Sequence, residues 1–175
     1  MADAPTESPA SKTGPTPPPR WPYWIAAVCL IADQVTKQWF HSHYDYHESR
    51  VVIPGFFNFT YAHNPGAAFS IFQGYPTALL VFSMLIFCLM VVFRDHLFSR
   101  TRLEQVAYGF IVGGVLGNLI DRMKHGFVID FIDWYVGDWH WPIFNLADTW
   151  ICTGVGLYLL SQWRNRHAPE IKAKA

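Results

Sequence analysis

An apolar run of 18 residues, from Pro76 to Phe93, constrains the fold of this chain more than any other feature. Its only polar members are Thr77 and Ser83, which carry hydroxyl groups and no charge. As an α-helix rising about 1.5 Å per residue, the run would extend roughly 27 Å, close to the hydrocarbon thickness of a bilayer. We therefore predict a transmembrane helix here. Three further apolar segments predict three more spans, at about Pro22–Phe40, Leu103–Ile120 and Phe144–Trp163.

The composition is that of a small membrane protein with polar ends. The 175 residues are enough for one domain, and 51% of them are hydrophobic while 15% are charged. A formal net charge of zero does not support a nucleic-acid-binding protein. Residues 1–20 contain six prolines among small and polar residues, and such a segment cannot bury enough apolar surface to fold. We predict a disordered Pro-rich tail (1–20), a four-helix transmembrane domain (21–164) and a basic tail (165–175).

The distribution of Lys and Arg predicts the orientation in the membrane. Nine of the thirteen lie in the N-terminal tail, in the connection after the second span and at the C-terminus. Because cytoplasmic flanks carry the excess of Lys and Arg, both termini are predicted to be cytoplasmic. The connections 41–75 and 121–143 then face outwards. The first apolar run lacks a small-residue cleavage site, so we expect it to remain as an anchor.

The outer connections are predicted to be structured. Arg50–Tyr61 is rich in β-branched and aromatic residues and is interrupted by Pro54-Gly55, which predicts short strands joined by a turn. Ala67–Phe72 predicts a short interfacial helix. A group of aromatic residues suits anchoring in the headgroup layer better than ligand binding. It comprises Trp134, Tyr135, Trp139 and Trp141.

Two aspartates at the predicted outer edge of the membrane are the strongest functional signal. Asp130 has apolar neighbours on both sides, and Asp148 begins the fourth apolar segment. A carboxylate is costly to desolvate there, so it marks a functional site by default. Two carboxylates on one side of the membrane offer the acid/base pair of an aspartic hydrolase. A helix cap is the alternative for Asp148, although Asn145 is better placed for that role.

The third span carries two helical rows. Glycine recurs at every fourth position from Gly109 to Gly117, which predicts close packing of a neighbouring helix. Gly114, Asn118 and Arg122 form a second row that leads towards the outer surface. Interhelical hydrogen bonding is the alternative to a functional role for Asn118, and snorkelling to the headgroups is the alternative for Arg122.

Two further segments have polar residues in otherwise apolar surroundings. Asp33 and Lys37, four residues apart on the first helix, predict an ion pair with a structural or supporting role. The segment Asn64–Ser70 begins with turn residues and leads into small residues. Such a loop could hold an extended peptide, and a plain helix-entry turn is an equal alternative.

The cysteines and histidines do not predict a metal site. The three cysteines lie in separate apolar runs without a CxxC neighbour, which favours free buried thiols. They are Cys29, Cys88 and Cys152. Three histidines cluster in an outer connection, but without HExxH or Cys/His spacing we interpret them as solvated loop residues. They are His41, His43 and His47. We predict no metal and no other cofactor.

Five blocks in order give the chain a resemblance to the bacterial lipoprotein signal peptidase (signal peptidase II) family. The resemblance covers about residues 22–163, and the five blocks together are highly specific. The blocks are DQVTK (33–37), NPGAAFS (64–70), GGVLGNLIDR (113–122), VIDF (128–131) and FNLAD (144–148). Thr149 stands where the family usually has Ser, and both residues carry a hydroxyl.

The resemblance implies an all-α polytopic protein of the bacterial inner membrane. It would have four transmembrane helices, a small periplasmic β-cradle and a short periplasmic interfacial helix. The implied enzyme is an aspartic endopeptidase that cleaves diacylglyceryl-modified prolipoproteins just before the lipidated cysteine, at the periplasmic face. Implied partners are this substrate, membrane phospholipid and cyclic peptide inhibitors of the globomycin type, and we expect a monomer that binds no nucleic acid.

The resemblance also implies roles for individual residues. Asp130 and Asp148 match the catalytic aspartates, and which of them is the general base is left open. The positions expected to bind substrate are Asn64, Gly66, Asn118, Arg122 and Asn145. The positions expected to give structural support are Asp33, Lys37, Gly114 and Ala147.

Two other classes of function are alternatives to the peptidase. A four-span protein with intramembrane acids could be a proton-coupled carrier or an assembly subunit. However, these acids cluster at one face rather than at the midplane, and no internal repeat is visible. A purely structural bundle does not account for the cost of two acids and an arginine at one edge.

Overall fold

The computed structural model describes residues 19–66, 74–98 and 101–173, and within these ranges the chain forms five helices and four strands. The predicted interfacial helix at 67–72 lies outside the described residues, as does the Pro-rich tail up to residue 18. The helices are α1 (Trp21–His43), α2 (Pro76–Val92), α3 (Arg94–Leu97), α4 (Arg102–His125) and α5 (Leu146–Ala173). The strands are β1 (Ser49–Ile53), β2 (Phe57–Asn64), β3 (Val128–Val136) and β4 (Trp139–His140).

The four long helices coincide with the four predicted spans. Within the described ranges, α4 is the one helix that is long and apolar enough to cross a membrane, judged by length and composition, and α2 is apolar but shorter. Helix α5 differs from the prediction because it continues through the predicted basic tail as far as Ala173. The three cysteines are free as predicted, but only Cys29 is buried.

Apolar side chains face outwards on the helices, whereas polar ones are buried between them. On α1 the exposed side chains recur every three or four residues, which is one helical face. They are Trp24, Val28, Ile31, Val35 and Trp39. The opposite face of the same helix buries Asp33 and Lys37. This is the reverse of the arrangement expected for a helix that faces water.

Helix α4 lies between α1 and α5, and glycines allow both approaches. A Cβ atom at Gly113 would lie 2.7 Å from the carbonyl oxygen of Ala26 on α1, and one at Gly114 would collide with the carbonyl oxygen of Ala147 on α5. The glycine row predicted from Gly109 to Gly117 therefore packs against α1. Because the colliding atoms belong to the backbone, a side chain at either position would push the helices apart.

The strands form one antiparallel arrangement in the order β1-β2-β3-β4 at one end of the helices. The predicted strands and turn within Arg50–Tyr61 are confirmed, and Gly55 supplies the positive φ of 78°. Strand β3 was not predicted, because its first four residues are all buried. Burial on both faces removes the alternation by which a strand is recognised in a sequence.

An aromatic cluster attaches this sheet to the helices. Phe40 at the end of α1 stacks on Phe131 of β3 with ring centroids 4.3 Å apart, and Tyr44 and Tyr61 belong to the same buried cluster. At the end of α4, Gly126 adopts a left-handed conformation and turns the chain directly into β3. These two attachments hold Asp130 against the ends of α1, α4 and α5.

Candidate active site

Asp130 is a buried carboxylate on β3 that accepts two amide hydrogen bonds. Its exposed fraction is 2%. The Nδ2 atom of Asn145 lies 2.7 Å from Oδ1, and the Nδ2 atom of Asn64 lies 3.0 Å from Oδ2. Burial, and next the negative charge of Asp148, raise the pKa of Asp130 to about 8, and the two amide bonds oppose this rise. The carboxyl group is therefore held in its neutral form at neutral pH.

Asp148 lies in the first turn of α5 and forms a reciprocal cap with Asn145. The main-chain N–H of Asn145 donates to Asp148 Oδ2 (3.2 Å), and the main-chain N–H of Asp148 donates to Asn145 Oδ1 (3.0 Å). This is a capping-box arrangement. The prediction that Asn145 is the better cap is consistent with these bonds, and Asp148 joins it. The second oxygen of Asp148 accepts a bond of 2.8 Å from Nδ2 of Asn118.

Asn145 connects the two aspartates. Its side chain donates to Asp130 and its backbone donates to Asp148, and the residue is completely buried. Because its Oδ1 atom accepts the N–H of Asp148, the amide has a definite orientation and its NH₂ group must face Asp130. The two acids that the sequence singled out are thus brought to one place by a single asparagine.

Asn64 and Asn118 are oriented by the same principle. The N–H of Gly66 donates to Oδ1 of Asn64 (3.0 Å), so the NH₂ group of Asn64 faces Asp130. The ammonium group of Lys37 donates to Oδ1 of Asn118 (2.8 Å), so the NH₂ group of Asn118 faces Asp148. Neither the Gly66 N–H nor the Lys37 ammonium can accept a hydrogen bond, so each amide has only one possible orientation.

Lys37 is buried with all three ammonium hydrogens engaged. Besides Asn118, Nζ contacts Asp33 at 2.9 Å and Asp121 at 3.0 Å. The predicted pair of Asp33 and Lys37 is therefore present, as part of a larger network. Asp33 also accepts the main-chain N–H of Ala147 at 2.9 Å and so holds the first turn of α5. Burying several charged groups together is costly unless each of them is paired. Here each ammonium hydrogen of Lys37 has an oxygen acceptor.

Sequence reasoning missed the parts played by Asp121 and Gln34. Asp121 accepts the N–H of Ile129 (3.1 Å), the residue before Asp130, and also contacts Lys37. The Nε2 atom of Gln34 lies 2.9 Å from Asp121 Oδ1. A signal for Asp121 was available, because it lies three residues after Asn118 and therefore on a neighbouring face of one helix.

Arg122 holds the loop that carries Asn64 and Gly66. Its Nη2 atom donates to the carbonyl oxygen of Gly66 at 3.0 Å, and Nη1 donates to that of Asn118 at 3.3 Å. The guanidinium therefore points into the site rather than only towards the membrane surface. Both aspartates lie near enough to interact with its charge.

A cavity of about 180 Å³ adjoins Asn118 and Arg122. Its other walls come from α2, α4 and α5 and are apolar apart from one hydroxyl. They are Phe82, Ser83, Ile86, Val115 and Ile151. Such a slot can accept an apolar group next to the polar site.

Asp133 is the second buried acid of β3, and its hydrogen bonds go to residues outside the site. Thr60 donates to its Oδ2 at 2.9 Å, and Nδ1 of His140 lies 2.7 Å from Oδ1. Asp133 lies three positions after Asp130, so the two side chains leave the strand on opposite faces. In the described part of the chain, no group of three or more His, Cys, Asp or Glu residues is arranged to hold a metal ion.

Sequence comparison relates the chain to one family. Residues 25–164 match the family model described as signal peptidase (SPase) II. The lipoprotein signal peptidase of Photorhabdus laumondii is 42% identical over 159 residues, which cover 87% of this chain and 93% of that protein. The lipoprotein signal peptidase of Yersinia enterocolitica is 44% identical over 146 residues, covering 80% of this chain and 84% of that protein.

Structural comparison agrees with the sequence comparison. A bacterial membrane enzyme solved at 2.3 Å by the in meso method has a TM-score of 0.77 and 34% identity, covering 83% of this chain and 89% of that chain. A second one, solved at 1.9 Å, has a TM-score of 0.72 and 35% identity, covering 81% and 92%. The helical arrangement with its small antiparallel sheet is therefore that of a membrane enzyme.

Proposed function

The chain belongs to the signal peptidase (SPase) II family, and we propose that Asp130 and Asp148 are the two acids with which it cleaves signal peptides from prolipoproteins. The family is of the aspartic type, which requires two carboxyl groups that act on one peptide bond. The observation that carries the proposal is the position of Asn145, which donates one hydrogen bond to each aspartate.

The surroundings support different roles for the two acids. The raised pKa of about 8 supports a neutral Asp130 that can donate a proton. Asp148 lies at the N-terminus of α5, where the helix dipole favours a negative charge, and it accepts N–H bonds from Asn118 and Asn145. We therefore assign Asp130 as the general acid and Asp148 as the general base.

The reaction follows from this assignment. Asp148 takes a proton from a water molecule while the water oxygen forms a bond to the scissile carbonyl carbon. The O–H of Asp130 donates to the oxyanion that develops on the carbonyl oxygen. When the tetrahedral intermediate collapses, the C–N bond breaks, Asp130 passes its proton to the leaving nitrogen, and the proton that Asp148 took from water moves to Asp130. No group is left over, and both acids return to their starting forms.

The substrate-binding roles of Asn64, Gly66, Asn118, Arg122 and Asn145 stay predictions. Of these residues, Arg122 has the strongest support for a substrate-binding role. It donates to the carbonyl oxygen of Gly66 and would contact an extended peptide lying beside that loop. The apolar slot next to Asn118 supports a lipid-modified substrate whose acyl chains come from the membrane. Cleavage just before the lipidated cysteine, binding of phospholipid or globomycin-type cyclic peptides, and the monomeric state remain part of this proposal.

The arrangement of the helices supports a four-span topology in the inner membrane. Helices α1 and α4 end, and α5 begins, at the sheet and the aspartates. The opposite end joins the start of α1 to α3, where Arg94 donates to the carbonyl oxygen of Pro19 (2.6 Å). There Thr101 before α4 also contacts Ser161 of α5 (2.9 Å). Both termini therefore leave from the end away from the site, as a cytoplasmic location of the termini and a periplasmic site require.

The test uses detergent-purified protein and a diacylglyceryl-modified prolipoprotein, with signal-peptide release read by gel shift. Asp130→Asn and Asp148→Asn should each lower turnover by about 10³-fold or more, as expected when an essential acid or base is removed. Asp133→Asn is the matched control, because it alters a buried acid of the same strand that lies outside the pair. A folded Asp130→Asn or Asp148→Asn protein with near-parental turnover would refute the assignment of these two acids to the reaction.

A further inference from the structure

Tyr61 of β2 is buried and its hydroxyl lies between two imidazole rings. The exposed fraction of Tyr61 is 3%. Its Oη atom is 2.6 Å from Nδ1 of His41 on α1 and 2.8 Å from Nε2 of His63 on β2. The phenol therefore joins the last turn of α1 to the end of β2. None of these three residues belongs to the proposed chemistry.

His63 is held by stacking as well as by hydrogen bonding. Its ring lies against Phe127, with centroids 3.8 Å apart, and against Tyr46, with centroids 4.4 Å apart. The next residue is Asn64, whose amide contacts Asp130. A shift of His63 would therefore be passed through one peptide bond to a group that touches the proposed general acid.

We propose that Tyr61 is a positioning residue whose hydroxyl, held between His41 and His63, keeps Asn64 against Asp130. The proposal rests on the assignment of Asp130 to the reaction. It also makes the position of Asn64 dependent on the protonation of the two histidines, because the phenol has one proton and can donate to only one of the two rings.

The hydrogen count explains this dependence. A phenol has one proton, so it can donate to one imidazole nitrogen while it accepts an N–H from the other. Both contacts persist when both rings are neutral or when one is charged. When both rings are charged, both nitrogens carry protons, and the phenol proton loses its acceptor in a buried site. The exposed His41 can then turn to water, which releases β2 from α1.

Further titratable groups face the phenol and the two rings. His47 comes from the turn after α1, and the ring of His125 at the end of α4 lies 5.3 Å from that of His41. Burial, and next the nearby His41, His47 and His125, lower the pKa of His63. Burial, and next the charge of Asp121, raise the pKa of Tyr61, so the phenol keeps its proton. The carboxylate of Glu48 pairs with Arg50 and is not available to this cluster.

The sign of the effect on stability follows from the lowered pKa. A histidine that binds its proton more weakly in the folded than in the unfolded chain costs stability as the pH falls below its ordinary pKa of about 6.5. The protein should therefore lose stability between about pH 6.5 and pH 5, and Asn64 should lose its position over the same range.

The experiment compares pH profiles of kcat and KM from pH 5 to pH 8. Tyr61→Phe should lower kcat at pH 7.5 by about three- to tenfold with little change in KM, the size expected for one lost hydrogen bond. His41→Asn and His63→Gln, whose amides lie near the positions of Nδ1 and Nε2, should keep most of the activity at pH 7.5. Both should retain at least about threefold more of it at pH 5.5 than the parent does. His43→Gln, two residues along the same helix, is the control and should follow the parent.

Thermal unfolding of the same detergent-solubilised proteins at pH 5.5 and pH 7.5 separates this proposal from the assignment of the acids. The parent and His43→Gln should lose more stability at pH 5.5 than His41→Asn and His63→Gln, whichever residues perform the chemistry. The proposal would be overturned if both histidine variants had the same pH profiles of kcat and KM, and the same unfolding temperatures, as the parent. An unchanged kcat in Tyr61→Phe would also overturn it.

Discussion

The ammonium nitrogen of Lys37 lies 2.8 Å from Oδ1 of Asn118, and this contact decides which edge of the Asn118 amide faces Asp148. A lysine can only donate, so the amide oxygen turns towards it and the NH₂ group turns towards the carboxylate. Among the contacts of the described residues, Lys37 makes no hydrogen bond to Asp130 or Asp148. It acts on the site through Asn118, and the same logic applies to Gly66 acting through Asn64.

Asn118→Asp tests this relationship with almost no change in shape. The new carboxylate keeps the contact with Lys37 but removes the N–H donor to Asp148 and sets two negative groups side by side. We expect kcat to fall by at least about tenfold, which corresponds to about 1.4 kcal/mol of transition-state stabilisation. Steady-state cleavage kinetics measure this fall in kcat, and thermal unfolding shows whether the variant is folded. Unchanged turnover would contradict the role of Asn118.

The pH dependence of cleavage should report the neutral form of Asp130. Because its pKa is raised to about 8, kcat/KM should fall as the pH rises through that value and the general acid loses its proton. The hydrogen bond from Asn64 lowers this pKa, so Asn64→Ala should move the basic limb to higher pH. The measurement is the profile of kcat/KM from pH 6 to pH 10 for the parent and for Asn64→Ala. A basic limb that moves to lower pH in the variant would contradict the effect of the Asn64 hydrogen bond on the pKa of Asp130.

The raised pKa also has a consequence for stability. The folded chain binds the Asp130 proton more tightly than the unfolded chain does. Its contribution is therefore complete below the ordinary aspartate pKa of about 3.9 and is lost as the pH rises towards about 8. Asp130→Asn, which is neutral at every pH, should flatten the decline of the unfolding temperature between pH 6 and pH 8. An equally steep decline in this variant would speak against a protonated Asp130.

Gly114→Ala should separate α5 from α4 and displace Asp148. A Cβ atom at this position collides with the backbone oxygen of Ala147, which cannot move without the first turn of α5. We expect a loss of about 1–3 kcal/mol in stability and a larger relative loss of activity. Gly156→Ala is the matched control on α5, where the added Cβ meets no atom within 4 Å. It should be neutral or slightly stabilising, since alanine is the better helix former. Equal unfolding temperatures for both variants would refute the close approach.

Asp121→Asn should damage the site from a distance. Three donors converge on the Asp121 carboxylate, from Gln34, Lys37 and the N–H of Ile129. An amide offers one oxygen and turns its NH₂ group towards a donor, which leaves a buried group unpaired at a cost of about 1–3 kcal/mol. A lower unfolding temperature and a reduced kcat are expected together. Asp138→Asn in the exposed β3–β4 turn serves as the control, and equal behaviour of the two variants would remove Asp121 from the network.

Much of the fold was predictable because its signals are local. The 18-residue apolar run, the glycine row of α4 and the Pro54-Gly55 turn each depend on residues close in the chain, and the structure has a helix, a close helix contact and a turn at these places. The four helices follow from the same kind of pattern. Asp130 and Asp148 were identified because a carboxylate in an apolar segment is costly wherever the chain folds.

Tertiary structure decided what those signals leave open. Strand β3 has no alternation because it is buried on both faces, so its partners had to be known before it could be recognised. The orientations of Asn64, Asn118 and Asn145 depend on donors supplied by other elements or by the next turn. A side-chain amide has two nearly identical edges, and only its neighbours in space determine which edge faces a carboxylate. The sequence thus determined which acids are the candidates for catalysis. The packing of α1, α4 and α5 against the sheet determined which hydrogen bonds their carboxyl groups accept.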